Sequence, residues 1–499
     1  MNVSLGWIDI GILILYTFVL IGMGAYFVRK SRTAEQFMVA GRSIPAWAAG
    51  LAVMSTYTSS ISYIATPGKA YDSNWHVIIF SVCIFPVAWL TCNYVVPYYR
   101  KANLISVYSF LEMRLGTWAR VYASVSFLLY MVGRVAVILY LVSLLINTFV
   151  PWNIAVVIVG IGLITIVYTL LGGMEAVIWT DVMQSLIMIV GILFCTVILT
   201  VDVFSRPDYL IQHAFDADKF SWGSWEFSLS SRTIWVMIIY GVTENLRNLM
   251  ADQNYVQKYS SVASERDAKR SIWIAMLIYI PLTAIFLYIG TTLFAFYAPG
   301  GHPLPDSITK GDEVFPYFIA TQLPMVIKGL VIAAIVAAAM STVDSALNCS
   351  ATVSLLDFRK RFFRTEIDEN QSVLFLRVMT VVWGILGIAF ALLMIRARSA
   401  LDVWWQISGI FGGGILGLFL LSLFNARLRV WQGIVAIAVS VIVISWATFA
   451  RNLPDAWRWA ECTFDGIIIG AVGTAALLAI AFIFDLTNRR KEKTNNIQI

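Results

Sequence analysis

The stretch Ser55-Thr56-Tyr57-Thr58-Ser59-Ser60-Ile61-Ser62 sets six consecutive hydroxyl side chains in the middle of an apolar segment, with Gly50 before it and Pro67-Gly68 after it. Hydroxyl side chains compete with the backbone for its own hydrogen bonds, so a helix carrying a run of them is predisposed to unwind. Unwound backbone at membrane depth is tolerated only inside protein or along a cavity, where its carbonyls can face a cation. A polar helix–helix contact is the other reading of the same hydroxyls. The segment is one of many. The chain has 499 residues, 59% apolar and 13% charged, with a mean hydropathy of +0.79. Soluble domains run at about 45–50% apolar and about 25% charged, and disordered, collagenous and disulfide-framed classes need compositions this chain lacks. Windows of about 19 residues give thirteen spans, near 7–28, 46–70, 76–98, 118–148, 152–171, 176–202, 231–255, 271–297, 326–352, 372–395, 400–423, 428–449 and 461–486. Helices are expected throughout, because backbone facing lipid must satisfy its own hydrogen bonds, and the alternation of a membrane barrel strand is absent. The chain reads as an all-α polytopic protein of the lipid bilayer. Its first span is expected to be retained, being too long for a signal-peptide core and lacking a small-residue cleavage site.

Of the 35 Lys and Arg, 22 fall in one set of connections, among them Arg42, Arg100, Arg120, Lys258, Arg361 and Arg489, and nine in the opposite set. Arg134, Arg247, Lys328 and Arg377 lie within spans. The positive-inside rule then places the N-terminus outside and the C-terminus inside, with 487–499 as a cytoplasmic tail. This placement also accounts for the net charge of +6 without a nucleic-acid partner. The five Cys and three His have no metal-ligand or disulfide spacing. The loops near 203–230 and 298–325, rich in aromatics and prolines, are expected to fold back as short lids.

Charged and polar groups inside spans are expensive and therefore informative, a charge at the bilayer centre costing about 2.5–3.5 kcal/mol on insertion scales. The seventh span reads Tyr240-Gly241-Val242-Thr243-Glu244-Asn245-Leu246-Arg247, then Ala251-Asp252-Gln253, and is again interrupted at mid-depth. Thr243 and Glu244 are candidates for solute contact, although Glu244 and Arg247 at i and i+3 are equally placed to pair with each other. In the ninth span Ser341, Asp344, Ser345 and Asn348 share one helical face beside small alanines, an oxygen-rich site for Na⁺ or H⁺. Asp181 in the sixth span is a second acid, either a ligand or an interfacial group. Arg134 sits in the middle of the fourth span, too deep to snorkel easily, and needs a carboxylate. That carboxylate is either internal (Glu244 or Asp181) or belongs to a solute. Gly412-Gly413-Gly414-Ile415-Leu416-Gly417 lies inside a span and reads as close helix packing rather than a phosphate cradle. No nucleophile elbow, zinc motif or Cys/His dyad is present, so an enzyme has no constellation behind it.

Gly172-Gly173-Met174-Glu175-Ala176-Val177-Ile178-Trp179-Thr180-Asp181 with Gln184 resembles the signature of the sodium/solute symporter family. Phe37-Met38-Val39-Ala40-Gly41-Arg42 and Ala251-Asp252-Gln253 with Val256-Gln257-Lys258 resemble it too, and the likeness extends over nearly the whole chain. It implies a LeuT-type fold: a leading helix at 7–28, two five-helix inverted repeats at 46–202 and 231–423, and two trailing helices at 428–486. It also implies a first sodium site made by carbonyls of Ser55, Thr58 and Ala338 with the hydroxyls of Ser341 and Thr342. A second sodium, bound by some members, would involve Asp181, Ser341, Asp344 and Ser345; Asp344 departs from the serine of the family pattern, leaving one or two ions open. The run Gly133-Arg134-Val135-Ala136 looks most like the bacterial sialic acid symporters, whose matching arginine holds the sugar carboxylate. Tyr57, Ser59 and Ser62 would line the pocket with Val77 and Ser81. In that branch Val77 and Ser81 correspond to Phe and Gln, and Tyr57 to a threonine.

The expectation is a monomeric sodium symporter of the cell membrane, importing a carboxylate-bearing solute such as sialic acid by alternating access. The alternatives are a symporter for a neutral sugar, an amino acid or another monocarboxylate, and, in a different class, a channel or a non-transporting sensor.

Overall fold

The computed structural model describes residues 5–28, 31–149, 152–206, 209–306, 308–363, 367–395, 400–424, 428–450 and 455–497. Of the cations behind the orientation expectation, Arg29, Lys30, Arg364, Arg396, Arg398, Arg427 and Arg451 lie outside these residues, as do 498–499 of the expected tail.

The described residues form an all-helical bundle, and the only β pairing among them is one bridge between Ile44 and Val262. The first half holds α1 (Trp7–Phe27), α2 (Ala34–Val39), α3 (Ala46–Tyr57), α4 (Ser60–Asp72), α5 (Ile78–Leu90) and α6 (Val96–Lys101). It continues through α7 (Tyr108–Leu115), α8 (Thr117–Phe149), α9 (Ile154–Phe204) and α10 (Tyr209–Asp216). The second half holds α11 (Ile234–Leu246), α12 (Gln253–Ser260), α13 (Glu265–Phe296), α14 (Gly311–Gln322), α15 (Ile327–Val353) and α16 (Lys360–Phe362). It closes with α17 (Glu369–Met394), α18 (Ala400–Leu423), α19 (Val430–Phe449) and α20 (Ile469–Ile497).

Among the described residues nine helices are long and apolar enough to cross a membrane, against thirteen expected spans. Three features account for the difference. Helix α9, at 51 residues, holds two expected spans; at about 1.5 Å per residue it is more than twice as long as a hydrocarbon core of about 30 Å. It bends at Gly173, whose φ of 58° and ψ of −157° break the helix, and a Cβ there would stand 3.0 Å from Phe37 Cα. Two further spans are interrupted, α3 from α4 and α11 from α12, so neither half is long enough alone. The remaining expected span, 400–423, is α18, 24 residues long, of which Ile407–Leu423 enters the count of described apolar helices. The loops expected to act as lids carry α10 and α14, which pack on α13 and on α4.

Helix α15 is the core: every residue from Val331 to Val353 is buried, and α1, α3, α8, α9 and α17 all pack on it. One end of the bundle is closed by polar ties. Gln253 donates to Ile105 O at 2.8 Å and accepts from Val107 N at 2.9 Å, and Arg100 donates to Ser260 O and Val262 O at 3.2 and 3.1 Å. Arg120, counted with the connections, lies inside α8; its Nε donates to Asp357 Oδ1 at 2.7 Å and its Nη1 to Glu112 Oε2 at 2.6 Å. Lys258, also placed in a connection, is fully buried in α12. Window hydropathy ends the seventh span at 255, short of Lys258, whereas Arg120 already lies inside the expected span 118–148 and belongs with the charges within spans.

Burial opposes ionisation of Glu112, but hydrogen bonds from Arg120, Arg361 and Thr117 override it and hold the carboxyl down at about 2. Its unfolded value is about 4.3, so this contribution to stability is complete above that pH and is lost as the pH falls towards 2. Melting temperature in detergent should therefore drop on acidification from about pH 5 to about pH 3, and drop less in Glu112→Gln; parallel curves would contradict the assignment.

Candidate functional site

The hydroxyl run does unwind. Helix α3 ends at Tyr57, Thr58 takes φ −99°, ψ 91°, Ser59 takes φ −94°, ψ 173°, and α4 starts at Ser60. The last carbonyls of a helix have no partner within it, and here neighbouring helices take up part of the need. Thr56 O accepts from Arg134 Nη2 at 3.0 Å and from Tyr255 OH at 3.3 Å. Tyr57 O accepts from Ser62 Oγ at 3.4 Å. The matching break in the second half is a π-helical turn at Arg247–Ala251 followed by extended Asp252, and such turns cluster at functional sites.

Beside the first break lies a cavity of about 720 Å³, including its open mouth. Tyr57, Ser59, Ser62, Arg134 and Glu244 of the sequence-derived set line it. Arg134, 8% exposed, has no carboxylate within 4 Å among the described residues; Arg247 has two. Arg247 Nε stands 3.0 Å from Glu244 Oε2 and its Nη1 3.3 Å from Asp252 Oδ2. Tyr130 supports it from α8, with the hydroxyl 2.9 Å from Nη2 and the ring 4.6 Å from the guanidinium carbon. The question left open by the spacing of Glu244 and Arg247 is thus answered: they pair, and the pair also lines the cavity. Neither Glu244 nor Asp181 serves Arg134.

Three sequence-derived residues fall elsewhere. Thr243 donates to Ile239 O at 2.7 Å and faces an adjoining cleft lined by Gly412, Gly413 and Gly470. Ser81 is fully buried and donates to Thr283 Oγ1 at 3.0 Å. Val77 packs with Ala70 and Ile234 in a separate apolar cluster. Phe80, on the same helix as Ser81, reaches the cavity in their place. The cavity wall also carries Tyr130, Tyr240, Tyr255 and Tyr279. A search for costly intramembrane groups passes over tyrosine, because its ring is apolar and only its tip needs a partner.

Helix α15 packs on both arms of the break and carries a cluster of buried oxygen atoms. Ser341 Oγ and Thr342 Oγ1 both lie on Ala338 O, at 3.2 and 3.1 Å, and all three residues are fully buried. Helices α3 and α4 each pack on α15. Asp344 Oδ2 accepts from Tyr168 OH at 2.8 Å and Thr180 Oγ1 at 3.4 Å, and its Oδ1 from Ser345 Oγ at 3.2 Å. Asn348, on the same face, is occupied by Phe37 O and Gln257. Asp181 meets Lys258, with Nζ 2.7 Å from Oδ2 and both side chains inaccessible. Buried Ser60 Oγ and Gln184 Oε1 have no hydrogen-bond partner among the described residues. An all-oxygen donor set with spare lone pairs suits a hard cation such as Na⁺.

The model of the sodium:solute symporter family matches residues 37–436. The chain belongs to that family. The sodium/sialic acid symporter NanT of Aliivibrio fischeri is 30% identical to this symporter over 492 residues, covering 96% of this chain and 93% of the relative. The sodium/sialic acid symporter SiaT of Proteus mirabilis is 32% identical over 479 residues, covering 95% and 96%. A solved Na⁺-coupled sialic acid symporter, substrate-bound and outward-open, superimposes with a TM-score of 0.88 at 30% identity over 97% of this chain and 98% of that one. The fold of this symporter is accordingly of the LeuT type, and the interrupted helices stand where that architecture is discontinuous.

Arg247→Ala leaves buried Asp252 and half-buried Glu244 without a cation, an expected loss of roughly 3–5 kcal/mol. Arg134→Ala removes only carbonyl contacts and should cost far less. Thermal unfolding in detergent checks this, and equal losses would contradict the division of roles between the two arginines.

Proposed function

We propose that the chain is a sodium-coupled importer of sialic acid, with Arg134 holding the solute carboxylate. The observation that carries this reading is the mid-span guanidinium of Arg134 on the cavity wall, without a carboxylate partner, next to an Arg247 that has two. The names of the relatives support sialic acid as the solute. In this reading the first sodium ion is held by carbonyls of Ser55, Thr58 and Ala338 and by hydroxyls of Ser341 and Thr342. A second cation, where bound, is held by Asp181, Ser341, Asp344 and Ser345. Sodium orders the unwound turn, the solute docks against Arg134 and the hydroxyl stretch, and rocking of one helix bundle exposes both to the cytoplasm. Ligands drive that motion only through their differential affinity for the two states. The protein works as a monomer in the cell membrane, its N-terminus outside and its C-terminus inside.

A second reading, another carboxylate-bearing solute, draws on Tyr57. Its ring lies 4.6 and 5.0 Å from those of Tyr255 and Tyr279, putting aromatic bulk where the sialic acid branch carries a threonine. Competition of labelled sialic acid uptake by smaller monocarboxylates separates the two.

Proteoliposomes should accumulate sialic acid under an inward sodium gradient and not under a potassium gradient; equal uptake would end the coupling claim. Arg134→Ala should raise the half-saturating solute concentration by roughly 10- to 150-fold, the worth of a charge-assisted contact of about 1.5–3 kcal/mol. Stabilisation by sodium alone should persist in that variant. Unchanged affinity would contradict the assignment.

A further inference from the structure

Asn248, next to Arg247 in the π-helical turn, is 5% exposed and lines the cavity that holds Arg134. The orientation of its amide is fixed. Arg247 Nη2, a donor with no acceptor capacity, stands 3.1 Å away, so the atom facing it is Oδ1 and Nδ2 is turned away from the guanidinium. Among the described residues no acceptor takes the protons of Nδ2 in hydrogen-bond geometry. The hydroxyl of Tyr57, on the same cavity, lies within reach of that amide and has no hydrogen-bond partner of its own among the described residues. One group is an unused donor, and the other can give or take a proton. Polar groups left unserved in a buried site are costly, and a solute oxygen that serves them recovers the cost on binding. Tyr57 stands where the sialic acid branch carries a threonine, so the phenol half of this pair departs from that branch.

We propose that Asn248 and Tyr57 form a second solute anchor beside Arg134, a donor and a hydroxyl that together take one hydroxyl or acyl oxygen of the solute. The proposal rests on the reading above, in which Arg134 holds the carboxylate. It narrows the solute class to acids that also carry hydroxyl or amide groups, sugar acids among them, over bare monocarboxylates. Asn248 touches the solute. Arg247 is a positioning residue, since its bond to Oδ1 is what keeps Nδ2 turned away from it.

The test is uptake of labelled sialic acid into proteoliposomes under an inward sodium gradient, competed by sialic acid and by analogues that each lack one hydroxyl or the acetamido group. In the wild type the analogue without the matched group should compete roughly 2- to 12-fold less well, the worth of a neutral hydrogen bond of about 0.5–1.5 kcal/mol. That penalty should vanish in Asn248→Ala, while the penalties of the other analogues persist. A structural role for Asn248 would instead weaken every competitor alike and leave every penalty in place, which overturns the proposal. Should Asn248→Ala fail to fold, Tyr57→Phe, which removes a single oxygen and keeps the ring packing, decides by the same comparison. A wild type that accumulates no sialic acid overturns the solute reading, and this proposal with it. A wild type that does accumulate it, with every penalty intact in the variants, overturns this proposal alone.

Discussion

The structure depends on what an interrupted helix does with its carbonyls where no water can serve them. Breaking α3 from α4 at Thr58–Ser59 strands polar backbone at membrane depth, and each unserved group there costs several kcal/mol on transfer scales of about 2–7 kcal/mol. The surroundings respond in kind. Arg134 from α8 and Tyr255 from α12 take up Thr56 O, while α15 brings a carbonyl and two hydroxyls. Donors serve one side of the turn and acceptors gather on the other. In the symport reading, the first side of the turn receives a solute anion and the second a cation.

The buried charges are organised around the two breaks. Arg247, Glu244 and Asp252 form a closed set at the second break, with Tyr130 filling the remaining donor positions. Asp181 and Lys258 form an ion pair at the foot of the first break, with Asp181 Oδ1 left without a hydrogen-bond partner among the described residues. Near the breaks, Arg134 on the cavity and Asp344 within α15 have no ion-pair partner within 4 Å among the described residues. A transporter needs such open positions: a charge neutralised by the protein in every state offers no differential affinity to an arriving ligand.

Much of this was legible in the amino-acid order, for identifiable reasons. The run from Ser55 to Ser60 announced the first break because hydroxyls compete with the backbone, whereas the bend of α9 at Gly173 was not read from the sequence, Gly172-Gly173 appearing only within the family motif between two expected spans. Arg134, Glu244, Asp181 and Asp344 stood out by the cost of burying charge. Their partners did not, since pairing is set by tertiary approach between helices distant in sequence. Lys258 was misread as a loop cation because it lies past the end of the seventh expected span, where average hydropathy falls; Arg120 was counted with the loops although it lies inside the expected span 118–148. Val77 and Ser81, carried over from a resemblance, missed the cavity because the rotation of α5 points Phe80 inward instead. The tyrosines of the wall were invisible, their rings blending with the apolar background.

The account turns on a sodium ion seated between the unwound turn and α15. The most direct measurement is an experimental density map of the protein in sodium, compared with one in choline. The account predicts density in sodium alone, in contact with the carbonyls of Ser55, Thr58 and Ala338 and the hydroxyls of Ser341 and Thr342. An uninterrupted helix through Thr58, or no sodium-dependent density between these five residues, would contradict it.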